Sequence, residues 1–116
     1  MQENRRRLPR WSVKRPAKVR LQDAWQFEDC YVEDMNLKGM RMSFSGRLPL
    51  DRSVRIALAF PDLAFEVDVE VPWIKEDDGR FMYGLSFSRI KDEDKDKIYQ
   101  YIFSNCFYQL NDQWWQ

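Results

Sequence analysis

A chain of 116 residues, 44% hydrophobic and 16% aromatic, has the material for one core and is too short for two, which sets a single domain spanning 1–116 as the expectation and excludes a disordered chain. Its 19 basic and 19 acidic side chains cancel, so the molecule as a whole offers no generic attraction for nucleic acid or anionic lipid. With no histidine and only Cys30 and Cys106, neither a disulfide framework nor a metal set is expected.

The charge is unevenly placed. Arg5, Arg6, Arg7, Arg10, Lys14, Arg15, Lys18 and Arg20 stand against Glu3 alone in the first twenty residues. Residues 1–12 read as a flexible arginine-rich arm, stiffened locally by Pro9 ahead of Arg10. Guanidinium groups offer paired donors to phosphate or to a guanine edge and a flat face that stacks on a base. On composition alone, such an arm is as consistent with a solvated, anion-attracting tail as with a specific site.

Period-two alternation dominates residues 17–88. Ala17, Val19 and Leu21 alternate with polar residues, a second run covers Phe27 to Val32, and Met40, Met42 and Phe44 alternate with Arg41 and Ser43. Val54, Ile56, Leu58 and Phe60 follow; Phe65, Val67, Val69, Val71 and Trp73 then oppose Glu66, Asp68 and Glu70, and Phe81, Tyr83, Leu85 and Phe87 complete the set. One face of each strand is thus directed into a core and the other into water. Breaks at Asn36 to Gly39, Ser45-Gly46, Pro61-Asp62 and Asp77-Asp78-Gly79 carry turn chemistry at hairpin spacing. The expected fold is mainly β, a six-stranded antiparallel β-barrel with meander-like connections, which leaves no exposed edge.

From Asp92 the period changes. An acidic first turn precedes Ile98, Tyr101, Ile102 and Cys106 at helical spacing, with Tyr99, Phe103, Phe107 and Leu110 on a neighbouring stripe, and the pattern predicts one C-terminal helix over 92–110 packed across the barrel. The apolar and aromatic residues Phe107, Tyr108, Leu110, Trp114 and Trp115 exceed what one barrel-facing stripe needs; they serve either a protein partner or the barrel's own cover. No apolar run reaches the roughly 18 residues of a membrane helix, and the N-terminus lacks a signal-peptide core, so a reduced, cytoplasmic protein without membrane insertion is expected.

A second segment with chemistry of its own is Asp34-Met35-Asn36-Leu37-Lys38-Gly39, between the second and third strands. An ionised aspartate accepts two hydrogen bonds from guanine N1 and N2, asparagine supplies a donor and an acceptor, and glycine permits close approach. Taken alone, the segment is an ordinary Asx-type turn. Arg6-x-x-x-Arg10 followed by Asp34-x-Asn36-x-x-Gly39 resembles the paired signature of the PilZ family, written RxxxR and then [D/N]xSxxG. Val71-Pro72-Trp73-Ile74 with Tyr83-Gly84-Leu85-Ser86-Phe87 is similar to the family's closing strand pair. The resemblance covers about Arg5 to Phe107 and departs from the family pattern at Asn36, where serine is usual.

The resemblance implies a PilZ-type barrel that binds the bacterial second messenger cyclic di-GMP on its outer face, beneath the arginine arm. Arg6 would stack on and bond a guanine, Arg10 would contact phosphate and the second base, and Asp34 would read a Watson–Crick edge. Asn36 would bond near the same base, Gly39 would leave room, and Trp73 stands where some members carry an aromatic near the base, although its alternation with Glu70 fits an inward-facing core residue as well. Arg5 sits where the family's arginine accompanies an intercalated pair of ligands, implying two molecules per protomer. The expected output is an ordering of the arm that alters contacts with a protein partner in motility, adhesion or exopolysaccharide control. The rival readings are a PilZ-like adaptor that binds no ligand and, from a different class, a small RNA-binding barrel. Catalysis has little support, because there is no histidine, no nucleophile has an evident base and the carboxylates from Asp92 to Asp96 read as a solvated helix start.

Overall fold

The computed structural model describes residues 10–50 and 52–105. Six strands, β1 (Trp11–Leu21), β2 (Glu28–Met35), β3 (Gly39–Phe44), β4 (Val54–Phe60), β5 (Leu63–Asp77) and β6 (Arg80–Arg89), precede one helix, α1 (Asp92–Asn105). They close into an antiparallel barrel in the order β1-β2-β3-β6-β5-β4, with β4 returning to β1. The connections are not a continuous meander. The chain leaves β3 for the far side of the barrel and comes back through β4 and β5 to lay β6 beside β3.

The alternating apolar residues meet inside. Val19, Val32, Met35, Met40, Met42, Phe44, Ile56, Leu58, Val67, Val69 and Tyr83 are fully enclosed, and together they form one contiguous core. The long crossover after β3 is fixed by Tyr83. Its hydroxyl donates to the Gly46 carbonyl at 2.8 Å and accepts from the Leu48 amide at 3.1 Å, so buried Leu48 stoppers one end of the barrel without stranding a polar group. The other end is covered by α1, which turns Ile98, Tyr101 and Ile102 inward and stacks Tyr101 on Phe60 with ring centroids 5.2 Å apart. Tyr99 and Phe103, on the adjacent stripe, stay about half exposed.

Two boundaries differ from the alternation. The first strand starts at Trp11 rather than near Ala17, because a β-bulge between Ser12 and Arg15, with Lys14 at φ 49°, breaks the period while the pairing with β2 continues to Trp11↔Met35. Trp11 and Ser12, read as part of the arm, therefore belong to the barrel. The helix is described to Asn105; Cys106 and the expected turns to 110, the aromatic tail, and the arm residues Arg5 and Arg6 lie outside the described residues.

Cys30 lies on the core face of β2. Burial first, and the neighbouring Asp29 charge second, push its thiol from 9.0 up to about 12, with Lys18 opposing. A folded-state pKa above the unfolded one means the neutral thiol stabilises the fold fully below pH 9, and this contribution is lost as pH rises toward 12. Native Cys30 should thus resist iodoacetamide at pH 8 and become alkylated only in denaturant, as peptide mapping would read. Urea titrations of the parent should lose stability between pH 9 and 11 more steeply than those of Cys30→Ala. Fast native alkylation or parallel curves would contradict the assignment.

Candidate functional site

Alternation alone would send Asp34 inward with Cys30 and Val32. A bulge prevents this: Val32 pairs with Met42 and Asp34 with Arg41, so Glu33 is an extra residue on β2 and Asp34 is reversed to the outer face. The same device acts on β5. Glu70 pairs with Ser86 and Trp73 with Gly84, three residues against two, with Val71 buried and Pro72 in the irregular step. Trp73 consequently faces outward and is 40% exposed, so the inward alternative is corrected by the extra residue that the sequence pattern hides.

The two bulges put their residues in one line. Ser12, Asp34, Arg41, Gly84 and Trp73 are successive cross-strand partners over β1, β2, β3, β6 and β5, a single row across the outside of the sheet. At about 4.8 Å per strand, the row from Asp34 to Trp73 spans roughly 14 Å of backbone.

Asp34 is the hub of this row. Its Oδ1 accepts from Arg10 Nη1 at 3.0 Å, while its Oδ2 accepts from Arg41 Nε at 2.9 Å and Nη2 at 2.6 Å. The carboxylate itself is buried, its side chain 9% exposed, whereas Arg10 and Arg41 remain about half exposed above it. Burying a carboxylate is tolerable only with such donors. Reciprocally, the hydrogen bond to Asp34 raises the Arg41 pKa, outweighing partial burial, so this guanidinium stays charged.

Asn36 closes the turn after β2. Its Oδ1 accepts from the Lys38 amide at 2.8 Å and the Gly39 amide at 3.0 Å, and its own amide donates to the Gly39 carbonyl at 2.9 Å. Only the side-chain NH2 of Asn36 is left for other chemistry. Gly39 pairs with Ser86 so closely that a Cβ would stand 2.1 Å from the Leu85 carbonyl oxygen. The glycine is thus needed by the barrel itself. Gly84 is bare for another reason: a Cβ there would stand 2.2 Å from Trp73 Cε2 and 2.3 Å from its Nε1, so the indole occupies the space above the glycine.

A groove of about 490 Å³ opens along the row, lined among others by Tyr31, Arg41, Trp73, Lys75, Arg80 and Phe81. Its three cations outnumber its two carboxylates, Glu33 and Asp77. A larger groove, about 630 Å³, runs between α1 and Pro61 to Ala64 but contains none of the motif residues. Among the described residues, no group of His, Cys, Asp and Glu could hold a metal ion, and no helix is long and apolar enough to cross a membrane.

Of the seven residues singled out from the sequence, the structure brings Arg10 and Asp34 into contact, places Asn36 and Gly39 in the adjoining turn, and sets Trp73 at the far end of the row. Arg5 and Arg6 lie outside the described residues. Sequence reasoning missed Arg41 and Gly84. Arg41 was visible as the polar member of the β3 alternation two residues after Gly39, with nothing to mark it as the partner of Asp34.

The chain is thus a closed six-stranded barrel with a capping helix and an arginine-clasped carboxylate on its outer wall. The family model for the PilZ domain matches residues 4–104, and the chain belongs to that family. Among solved structures, it is similar to the PlzA protein of Borreliella burgdorferi in complex with c-di-GMP, at 15% identity and a TM-score of 0.58, covering 84% of this chain and 41% of that one. It is also similar to the PilZ domain of CeSA from a cellulose-synthesizing bacterium, at 13% identity and a TM-score of 0.58, covering 83% of this chain and 96% of that one. At these identities the likeness concerns the fold. The chain spans less than half the length of PlzA. No curated protein matches the chain.

The two glycines make opposite predictions. Gly39→Ala drives a Cβ into backbone that cannot retreat and should cost about 3 kcal/mol, the upper end of overpacking penalties, lowering the thermal midpoint by roughly 10 °C or more. Gly84→Ala meets only a side chain, so the midpoint should move by no more than a few degrees while the Trp73 indole N–H resonance shifts strongly in an NMR spectrum. Equal destabilisation by both, or an unmoved indole, would contradict these placements.

Proposed function

We propose that this chain is a cyclic di-GMP receptor that binds its ligand on the outer face along the row from Arg10 to Trp73. The observation that carries this reading is the meeting of the two signature halves: Arg10 and Asp34, 24 residues apart in sequence, lie 3.0 Å apart on the same face of the barrel. The fold it shares with part of PlzA, solved in complex with c-di-GMP, supports it.

The carboxylate of Asp34 has about four lone-pair positions, of which arginine N–H groups occupy three. Reading the N1 and N2 donors of guanine therefore requires a donor to leave. Arg10, half exposed and held by one bond, is the one suited to go. It exchanges the Asp34 oxygen for a ligand phosphate, so that the charge of each partner is met in both states. Arg6 stacks on and bonds a guanine, the Asn36 amide donates to the same base, and Arg5 supports a second, intercalated ligand molecule. The arm bearing Arg5 and Arg6 closes over the ligand, and this closure is the signal passed to a protein partner that acts in motility, adhesion or exopolysaccharide control. The function is recognition rather than catalysis.

Isothermal titration should give a binding heat with cyclic di-GMP. Arg10→Ala and Asp34→Ala should each weaken binding by about tenfold to a hundredfold, the value of a hydrogen bond to a charged group. No heat from the parent protein would refute the receptor reading, and undiminished binding by both variants would refute the site. For the arm, backbone NMR relaxation of residues 1–9 should differ between the free and bound protein; identical relaxation would remove arm closure from the account.

A further inference from the structure

Arg41 belongs to neither half of the signature, yet it stands at the centre of the row, partnered with Asp34 on one side and Gly84 on the other. Its Nε and Nη2 both bond Oδ2 of Asp34, which fixes the guanidinium by its side edge. A guanidinium carries five N–H groups in a rigid plane, so the end-on fork formed by Nη1 and the second Nη2 proton remains, and no described residue takes up Nη1. The side chain is 43% exposed and lines the groove together with Trp73. A cation held by a buried counter-ion, with a paired donor edge left over, is a receptor prepared in advance for a planar acceptor.

The neighbouring geometry says which acceptor. Between Arg41 and Trp73 lies one strand, β6, carrying Gly84 at that position, so the two backbones are about 10 Å apart with no side chain between them. The Trp73 indole reaches into that gap, its Nε1–Cε2 edge against Gly84, and its 40% exposed surface offers aromatic area for stacking beside the arginine. A purine stacked there turns one edge toward Arg41. Guanine presents two acceptors on its Hoogsteen edge, O6 and N7, matched to a bidentate arginine, whereas adenine substitutes the N6 donor for one of them.

We propose that Arg41 is a guanine-reading residue, anchored side-on by Asp34 and donating its free fork to O6 and N7 of a base stacked on Trp73. This rests on the cyclic di-GMP reading above and adds to it a specificity-determining residue outside the signature. Asp34 then acts twice, accepting from one guanine and orienting the arginine that reads the other. Gly84 is a positioning residue, since a Cβ there would displace the indole from its place beside Arg41.

The test removes one ligand atom at a time. The cyclic dinucleotide of 7-deazaguanosine lacks N7 but keeps the Watson–Crick edge, the phosphates and the shape. Titrations would compare it with cyclic di-GMP on the parent protein, Arg41→Met and Arg41→Lys. The lysine variant keeps the charge beside Asp34 and loses only the fork, so it remains informative if the methionine variant folds poorly. Both variants should bind cyclic di-GMP roughly tenfold or more weakly than the parent. The parent should lose several-fold affinity for the 7-deaza ligand, and the variants should not distinguish the two ligands. A 7-deaza penalty of the same factor in all three proteins would overturn the contact and leave Arg41 as a support for Asp34. A parent protein that binds neither ligand would instead overturn the receptor reading, and the contact with it.

Discussion

A β-strand assigns its side chains alternately to two faces, and one inserted residue reverses the assignment for everything beyond it. This constraint decides what the barrel can do. Asp34 and Trp73 each share the parity of core residues on their strands, and regular strands would bury the carboxylate among Val32 and Met42 and the indole beside Val69 and Val71. The extra residue at Glu33 and the irregular step at Val71-Pro72 return both to the outer wall. A third bulge, between Ser12 and Arg15, lets β1 run on past Lys14 so that Arg10 arrives above Asp34. The outer row is the product of these three irregularities; a fourth, between Asp68 and Val69 where β5 pairs with β6, lies off the row.

Once outside, Asp34 is covered again, by arginines rather than by apolar side chains. Three N–H bonds offset the loss of water around the carboxylate, and the arrangement is asymmetric. Arg41 is held by two bonds from the neighbouring strand, whereas Arg10 is held by one bond from just outside β1. The weaker attachment belongs to the residue on the arm side. A ligand with phosphates and guanine edges offers substitutes for both halves of the Arg10–Asp34 pair, so the proposed exchange would leave neither charge buried and unpaired.

The barrel was legible because its strands repeat a strong period-two pattern and its breaks carry glycine, asparagine and proline where turns need them. The buried stripe of α1 followed from Ile98, Tyr101 and Ile102 in the same way. The site was legible only in part. The signature spacing picked out Arg10, Asp34, Asn36 and Gly39 but not what they do locally: Asn36 spends its carbonyl on its own turn, and Gly39 is demanded by the Leu85 carbonyl. Trp73 could not be assigned a face, because a bulge leaves no mark in the alternation it interrupts, although Pro72 was a hint that the ladder is broken there. Arg41 and Gly84 were silent for a different reason. Their significance lies in being cross-strand neighbours, and register between β3, β6 and β5 is a property of the closed sheet.

The central claim is that one outer row, created by bulges, is the ligand face. Chemical-shift mapping on the uniformly 15N-labelled protein titrated with cyclic di-GMP tests it most directly. The account predicts that the largest amide shifts fall on residues 33–41, on Trp73 and its indole N–H, and on 82–85, while the groove beside α1 around Pro61 to Ala64 stays unperturbed. Shifts concentrated at that second groove, or a titration that moves no resonance of the row, would contradict it.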